Sequence, residues 1–430
     1  MLEEAALFKY ELAIVAILKN EAPYIKEWID YHLLAGVDHF YLYDNESTDN
    51  IREILNPYII SGVVDYAVCP GKCAQMVAYN NAIQKYKFDC NYMLFIDLDE
   101  FVYPHENKSI VEIVKEYFDM NPNIAGFVIH VIFFGSSGQE KANFDKDVLE
   151  RFIYRSEINF PGNRYVKTIL NPRLVELIRD PHVAIYFNGK FAVREDKRVI
   201  SNSLNDSSVA DRISINHYQI KSREEYIIRY NRMLSGDGYY LYQRDKIDSI
   251  SDEEWYKLNE NRNDIYDDGI LKYRSARQKL QNSRETLQQI NQRRFNALIS
   301  VLSPLILSAN LSLTDKKNDI FSGKVHIFLT CLVVSRDLKT SGLNEQDADF
   351  LEELSLKCLY KSLLAGSVEI WQLQLLIDEW PKLFSCKYPV INDIKEITIS
   401  FIQQFMNYRR MQNDWQSYKQ LDYLLQILNI

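Results

Sequence analysis

The stretch "ELAIVAILKNEAPYIKEWIDYHLLAGVDHFYLYDN" (11–45) decides the fold class of this chain. It opens on an apolar, β-rich run of the length of one buried strand. Ile25, Trp28, Ile29 and Leu33 then recur at helical spacing, with Pro23 near the start and Gly36 at the end. "HFYLYDN" (39–45) is a second strand. Strand, helix and strand in this order predict a right-handed crossover and a parallel sheet.

The pattern continues outward. "STDNIREILNPYI" begins with capping residues and runs on as a helix. "VVDYAVC" (63–69) is a third strand, "CAQMVAYNNAIQKYK" a helix, and "YMLFIDLDEFV" (92–102) a fourth strand. Ligands of such sheets bind at the carboxyl ends of the strands. Asn20, Asp44, Cys69 and Asp97 fall at those ends and are expected along one rim.

From about residue 124, "IAGFVIHVIFFGSSG", "RFIYR", "VKTIL", "HVAIYFNGKFAV" and "ISINHYQI" read as strands joined by polar loops, closed by the helix "SREEYIIRYNRML". Beyond about 275 the strand signals stop, and helical stretches rich in Gln, Leu and Tyr follow without a repeat period. The expectation is an α/β domain over 1–280 followed by an all-α C-terminal domain over 285–430. A length of 430 residues agrees with two domains.

The net charge of −9 argues against a surface built to grip nucleic acid. Cysteines 69, 73, 90, 331, 358 and 386 form no CxxC pair and read as free thiols of a reducing compartment. "MLEEAALFKYEL" carries acids where a signal peptide needs basic residues. "FNALISVLSPLILSANLSL" (from Phe295) is interrupted by Asn296, Pro304 and serines, so it reads as buried helix and not as a membrane span. A cytoplasmic protein is expected, with peripheral membrane contact left open.

The chemistry centres on "LFIDLDEFV" (94–102). Read as a strand, it puts Asp97 and Asp99 on one side, where two like charges need a cation between them. Such a pair suits Mg²⁺ or Mn²⁺ shared with a diphosphate, the metal acting as a Lewis acid on the leaving group. The plainer alternative is a solvated turn. Asp44 is placed to accept the ring N–H of a uracil. Asn45, Ser47 and Asp49 could serve a ribose or cap the next helix, and Asn20 and Glu21 are similarly placed for the nucleoside. The first loop has no glycine, which excludes a Walker loop and a dinucleotide fingerprint.

His217 is either a hydrogen-bonded structural residue or a metal ligand. His182 and His32 fall on the structural or substrate-contact side. "FFGSSGQE" (133–140) could line an acceptor pocket. Lys72, Lys167 and Arg232 could meet a diphosphate or form salt bridges.

Taken together, "AILKNEAPYIKEWIDYHLLAGVDHFYLYDNESTDN", "LFIDLDEFV", "FFGSSG", "VKTILNP" and "INHYQIKSREEY" resemble glycosyltransferase family 92 and its family 2-like relatives over roughly residues 11 to 275. The resemblance implies a GT-A fold (nucleotide-diphospho-sugar transferase, Rossmann-like). It also implies an inverting transfer from a nucleotide-diphosphate sugar, commonly UDP-galactose. Asp44 would then face the base, Asp97 and Asp99 would hold metal and sugar-nucleotide, and His217 would complete the metal shell. The acceptor would be a glycan, a glycoprotein or a lipid-linked saccharide.

Inversion needs a base, and Asp237, Glu140 and Glu150 are its unresolved candidates, each also readable as an exposed acid. The helical domain lies outside the resemblance. It is expected to pack on the catalytic half, to self-associate as a homo-oligomer, or to hold a large acceptor. Its last segment, with Arg409, Arg410 and Lys419, reads as a core helix or as a partner- or membrane-surface helix.

Three rivals remain. An aspartyl phosphatase or phosphomutase would use Asp97 as nucleophile and Asp99 as acid/base, but expects Thr or Val after a DxDG-like start where this chain has Glu100 and Phe101. A sugar-nucleotide-forming nucleotidyltransferase wants a glycine-rich basic first loop, which "LKNEAPYI" does not supply. A non-catalytic sugar-nucleotide-binding adaptor is opposed by the intact acidic motif.

Overall fold

The computed structural model describes residues 2–235, 247–276, 285–307, 321–383, 388–412 and 414–428. The chain divides into an α/β unit, Tyr10–Arg284, and a helical unit made of Met1–Lys9 together with Glu285–Ile430.

A short helix α1 (Leu2–Ala5) precedes strand β1 (Tyr10–Leu18). Then α2 (Ala22–Leu34), β2 (His39–Asp44), α3 (Ile51–Ile60), β3 (Val64–Val68), α4 (Ala74–Tyr86) and β4 (Cys90–Phe95) follow in alternation. β1 pairs in parallel with both β2 and β4, and β2 with β3. This is the expected crossover series, in the spatial order β3-β2-β1-β4. Successive β1 residues serve opposite faces: Leu12, Ile14, Ala16 and Leu18 enter one core cluster, Ala13 and Val15 another. A strand covered on both faces has to be apolar throughout, which is why it reads as an unbroken run.

The fourth expected strand is not continuous. It divides into β4 and β5 (Glu100–Pro104), with a turn at 96–99 that holds both aspartates. Glu100 makes the break: its Oε2 accepts the Asp97 N–H at 2.9 Å while its own N–H donates to the Asp97 carbonyl at 3.1 Å. The strand-alternation argument for the two acids therefore gives way to a turn. α2 fixes β5 from behind. Trp28 Nε1 donates to the Glu100 carbonyl, Tyr31 to the Val102 carbonyl, and His32 Nε2 accepts from the Val102 N–H. Burial holds the His32 imidazole down to about 3, so it stays neutral and structural.

After α5 (Ile110–Phe118) come β6 (Ile124–Phe133), α6 (Val148–Arg151), β7 (Tyr154–Arg155), β8 (Val166–Leu170), β9 (Val175–Ile178), β10 (Ala184–Tyr186), β11 (Phe191–Val193), β12 (Val199–Ile200) and β13 (Ile213–His217). The sheet turns mixed here, because β8 runs antiparallel between β4 and β6. "RFIYR" contributes only the two residues of β7 after α6, and "HVAIYFNGKFAV" divides into β10 and β11. α7 (Arg223–Ser235), α8 (Asp252–Asn259) and β14 (Ile265–Tyr266) complete the described part of this unit.

The helical unit contains α9 (Leu287–Leu307), α10 (Val325–Thr340), α11 (Glu345–Leu364), α12 (Ile370–Leu383), α13 (Val390–Met411) and α14 (Trp415–Leu428). It differs from the expected 285–430 in also claiming the first nine residues, which sequence reasoning placed in the α/β domain. The cause is polar. Arg294, buried, donates to the Leu7 carbonyl at 2.9 Å and pairs with Asp337, and Arg293 donates to the carbonyls of Ala6 and Phe8. Among the described residues no helix is long and apolar enough to cross a membrane. Five cysteines are free thiols, and Cys386 lies outside the described residues.

Candidate active site

The acidic turn sits at the carboxyl end of β4, and its two aspartates face different partners. β8 brings Lys167 under the Asp97 side. Its ammonium lies 2.8 Å from Asp97 Oδ2 and 3.2 Å from Glu100 Oε2, with the side chain only 1% exposed. The other Asp97 oxygen accepts from Gln75 Nε2 at 3.0 Å. Burial opposes ionisation of Asp97, but Lys167 outweighs it and holds the carboxyl below its usual range. Burial pushes Glu100 up despite the same lysine. Asp97 and Glu100 in turn hold the Lys167 ammonium well above its usual value against burial. Lys167, open between a diphosphate contact and a salt bridge in the sequence, thus makes the salt bridge and neutralises the turn from within the sheet.

The Asp99 side faces β13. This strand runs antiparallel to β5, with His217 opposite Glu100, and parallel to β6, with His217 beside Phe133. His217 Nε2 comes to 3.4 Å from Asp99 Oδ1, and its ring centroid lies 4.8 Å from that of Phe133. Arg229 of α7 stands 3.5 Å from Asp99 Oδ2. Burial opposes the Asp99 charge, yet His217, then Arg229 and Lys221, hold its carboxyl well below the usual range.

Of the three residues expected around a cation, Asp99 and His217 are brought together and Asp97 is turned to Lys167 and Gln75. Among the described residues no group of three His, Cys, Asp or Glu is poised to hold a metal ion. A carboxylate and an imidazole at this spacing still fit a divalent cation that takes its remaining ligands from phosphate oxygens and water.

The rim of β1 and β2 is largely bonded to itself. Asn20, in the left-handed region at φ 54°, accepts from the Thr48 N–H at 2.7 Å, and its own N–H donates to Ser47 Oγ at 3.0 Å. Asp49 accepts from the Ala22 N–H and, through its other oxygen, from the Ile51 N–H, serving the starts of two helices. Asn45 donates to the carbonyls of Cys69 and Gly71. Asp44, buried, accepts from the Ser47 N–H and from the Tyr66 hydroxyl. Glu21 is paired with Arg232, and burial raises its carboxyl. Lys72 is exposed, next to Cys73 at φ 56°.

The base candidates lie elsewhere. Glu140 pairs with Arg223 at the start of α7 and accepts from Trp255 Nε1. Glu150 lines a pocket with Glu27, Asp30, Tyr31 and Tyr273, which includes neither aspartate of the turn nor His217. Asp237 lies outside the described residues. "FFGSSGQE" is stitched to the end of α8: Ser136 and Ser137 donate backbone N–H groups to Asn259 and Asn263. A Cβ at Gly135 would come within 2.3 Å of Asn263 Oδ1, so that position needs glycine. Beside His217, Phe133 carries the Arg262 guanidinium 4.8 Å over its ring, and Phe160 carries it at 5.6 Å. His182 Nδ1 is bonded to the Val166 carbonyl.

Sequence reasoning missed Arg229, Lys221 and Gln75. The spacing of Arg229 and Arg232 in "SREEYIIRYNRML" was the available signal, since residues three apart share a helix face.

A parallel core in this strand order, with an acid turn after its fourth strand, gives the α/β unit the GT-A architecture. The chain belongs to glycosyltransferase family 92, whose model matches residues 15–279. A family 92 protein of Oryza sativa subsp. japonica is 28% identical over 177 residues, which are 40% of this chain and 30% of that protein. A family 92 protein of Arabidopsis thaliana is 34% identical over 102 residues, covering 24% of this chain and 18% of that protein. A galactan beta-1,4-galactosyltransferase of Arabidopsis thaliana is 30% identical over 100 residues, covering 21% and 19%. These matches thus span less than a third of the relatives' own length. Among solved structures, that of S. aureus TarS 1-349 is similar at 13% identity and a TM-score of 0.29, covering 83% of this chain and 90% of that one.

Proposed function

We propose that the chain transfers a hexose, galactose favoured, from a UDP-sugar to a hydroxyl of a glycan, glycoprotein or lipid-linked acceptor, with inversion and with Mn²⁺ or Mg²⁺. The observation that carries this reading is the Asp99–His217 pair, held at 3.4 Å on the rim of a family 92 domain. The similarity to a galactan beta-1,4-galactosyltransferase supports galactose.

Asp99 and His217 would hold the cation, which supplies positive charge to the departing diphosphate. Asp44 would receive the base of the nucleotide, its carboxylate already oriented by Ser47 and Tyr66. Asp97, fixed by Lys167 and Gln75, presents a side chain 39% exposed towards the sugar-nucleotide. In the reaction the acceptor oxygen bonds to the anomeric carbon from the face opposite the diphosphate. The bond from that carbon to the phosphate oxygen breaks, its electron pair leaves with UDP, and the acceptor proton passes to a base.

A hydrolysis screen across UDP-sugars with Mn²⁺, combined with thermal shift, tests the reading. Stabilisation that needs both UDP and Mn²⁺, with release of UDP from one sugar donor, is expected. Phosphate release from sugar phosphates without any response to UDP would overturn it in favour of a phosphatase.

A further inference from the structure

The segment joining β13 to α7 carries a lysine whose charge the protein leaves unmatched. Lys221 is 5% exposed, yet among the described residues no carboxylate or carbonyl lies within hydrogen-bonding or ion-pairing distance of its ammonium. Its recorded close partner is the Tyr24 ring, whose centroid is 4.6 Å from Nζ. The Tyr24 hydroxyl is in turn tied to Glu225. The acids acting on Lys221 through space are Asp99, Glu21 and Glu225. Each already has another cationic partner: Arg229 for Asp99, Arg232 for Glu21, and Arg151, at 2.8 Å, for Glu225.

A buried ammonium with no oxygen partner is costly, and a ring face offsets only part of that cost. The backbone adds to the cost. Lys221 sits at φ 58°, in the left-handed region that a side chain with a Cβ rarely adopts. Strain of this kind persists where the surroundings hold a side chain in place for use.

We infer that Lys221 is an anion-binding residue of the donor site, reserved for the diphosphate oxygens of the sugar-nucleotide, with Arg229 as the second member of the clamp. The inference rests on the donor reading above. Arg229 lies on the same helix as Arg232, bears on Asp99 and is 24% exposed, so it can turn from that carboxylate to an incoming phosphate. Both cations come from the segment after β13, and both act on the carboxylate proposed to hold the metal. When the bond to the anomeric carbon breaks, negative charge grows on the diphosphate. A preorganised cation at that place lowers the barrier without reorganising.

The test titrates wild type, Lys221→Met and Lys221→Arg with UDP and with UMP in Mn²⁺, following affinity by calorimetry and Tm by scanning fluorimetry. Lys221→Met is expected to weaken UDP binding about 10- to 100-fold. UMP should be affected far less, and Tm should hold or rise because an apolar chain replaces an unmatched buried charge. Lys221→Arg should recover part of the UDP affinity. Equal losses for UDP and UMP with a lower Tm would make Lys221 a structural counter-ion and overturn the assignment. So would UDP affinity within about twofold of wild type in Lys221→Met, which leaves the donor reading standing. Wild type that binds no nucleoside diphosphate in a panel of UDP, GDP, CDP and ADP overturns the donor reading and the assignment together. If Lys221→Met fails to fold, Arg229→Gln is titrated in its place, with the same loss expected for UDP over UMP.

Discussion

The two aspartates of one turn live in different electrostatic surroundings. Asp97 is held by Lys167, Gln75 and the amide partner Glu100, all supplied by the sheet and by α4. Asp99 meets His217 and Arg229, which come from β13 and α7. The first carboxylate is matched by a residue that is itself nearly inaccessible, and the second by groups that can exchange partners. The two acids of this turn are thus held by different partners, and spacing alone does not tell them apart.

The largest expected effect breaks the exchangeable side. Asp99→Asn should lower transfer on the order of 10³-fold in a protein that still folds, with some loss of Tm from the His217 and Arg229 pairings, measured by UDP release and scanning fluorimetry. Unchanged metal-dependent activity would move the cation site elsewhere. On the matched side the loss should appear as stability. Lys167→Met leaves Glu100, 1% exposed, without its cation, and should cost about 3 kcal/mol in denaturant unfolding. Next in size, His217→Ala should raise the Mn²⁺ concentration for half activation at least about 10-fold, read from a metal titration.

A smaller effect depends on pH. Glu27 accepts the N–H groups of Val148 and Leu149, and burial raises its carboxyl to about 7. A raised acid binds more protons in the folded state. Its contribution is therefore whole below its unfolded value of about 4.5 and is lost as pH rises through about 7. Glu27→Gln should flatten the fall in stability between pH 5 and 8 by on the order of 1–2 kcal/mol, measured by urea unfolding across that range. The smallest effect is expected at the β1–β2 rim. Asp49→Ala removes one acceptor at the starts of α2 and α3 and should cost about 1 kcal/mol while leaving UDP affinity alone.

Much of the fold was legible, because β1 to β4 are largely apolar runs separated by helical stretches of ten to thirteen residues. The break after Phe95 was not. "FIDLDEFV" carries strand residues on both sides of the turn, and only the folded backbone shows Glu100 reaching back to the Asp97 amide. Within the candidate site, Asp97, Asp99 and Asp44 were singled out at strand ends, and His217 near a strand end and from the family resemblance. Lys167 stayed open between a diphosphate and a salt bridge because a sequence does not reveal that β8 runs antiparallel beside β4. Lys221 was passed over for a related reason. A lysine before a helix ordinarily reads as solvated, and its burial depends on Tyr24, some two hundred residues earlier.

The discontinuity of the helical unit has a consequence for the order of synthesis. Leu7 and Lys9 leave the ribosome early, but their partners Arg294 and Asp337 lie 287 and 328 residues further on. The whole α/β unit, Tyr10–Arg284, is made in between and is expected to fold first. The helical unit is then completed by closing a very long loop, a step whose entropic cost grows only slowly with length. Expressing Tyr10–Arg284 alone should therefore preserve the site, whereas removing the first nine residues should injure the distant helices.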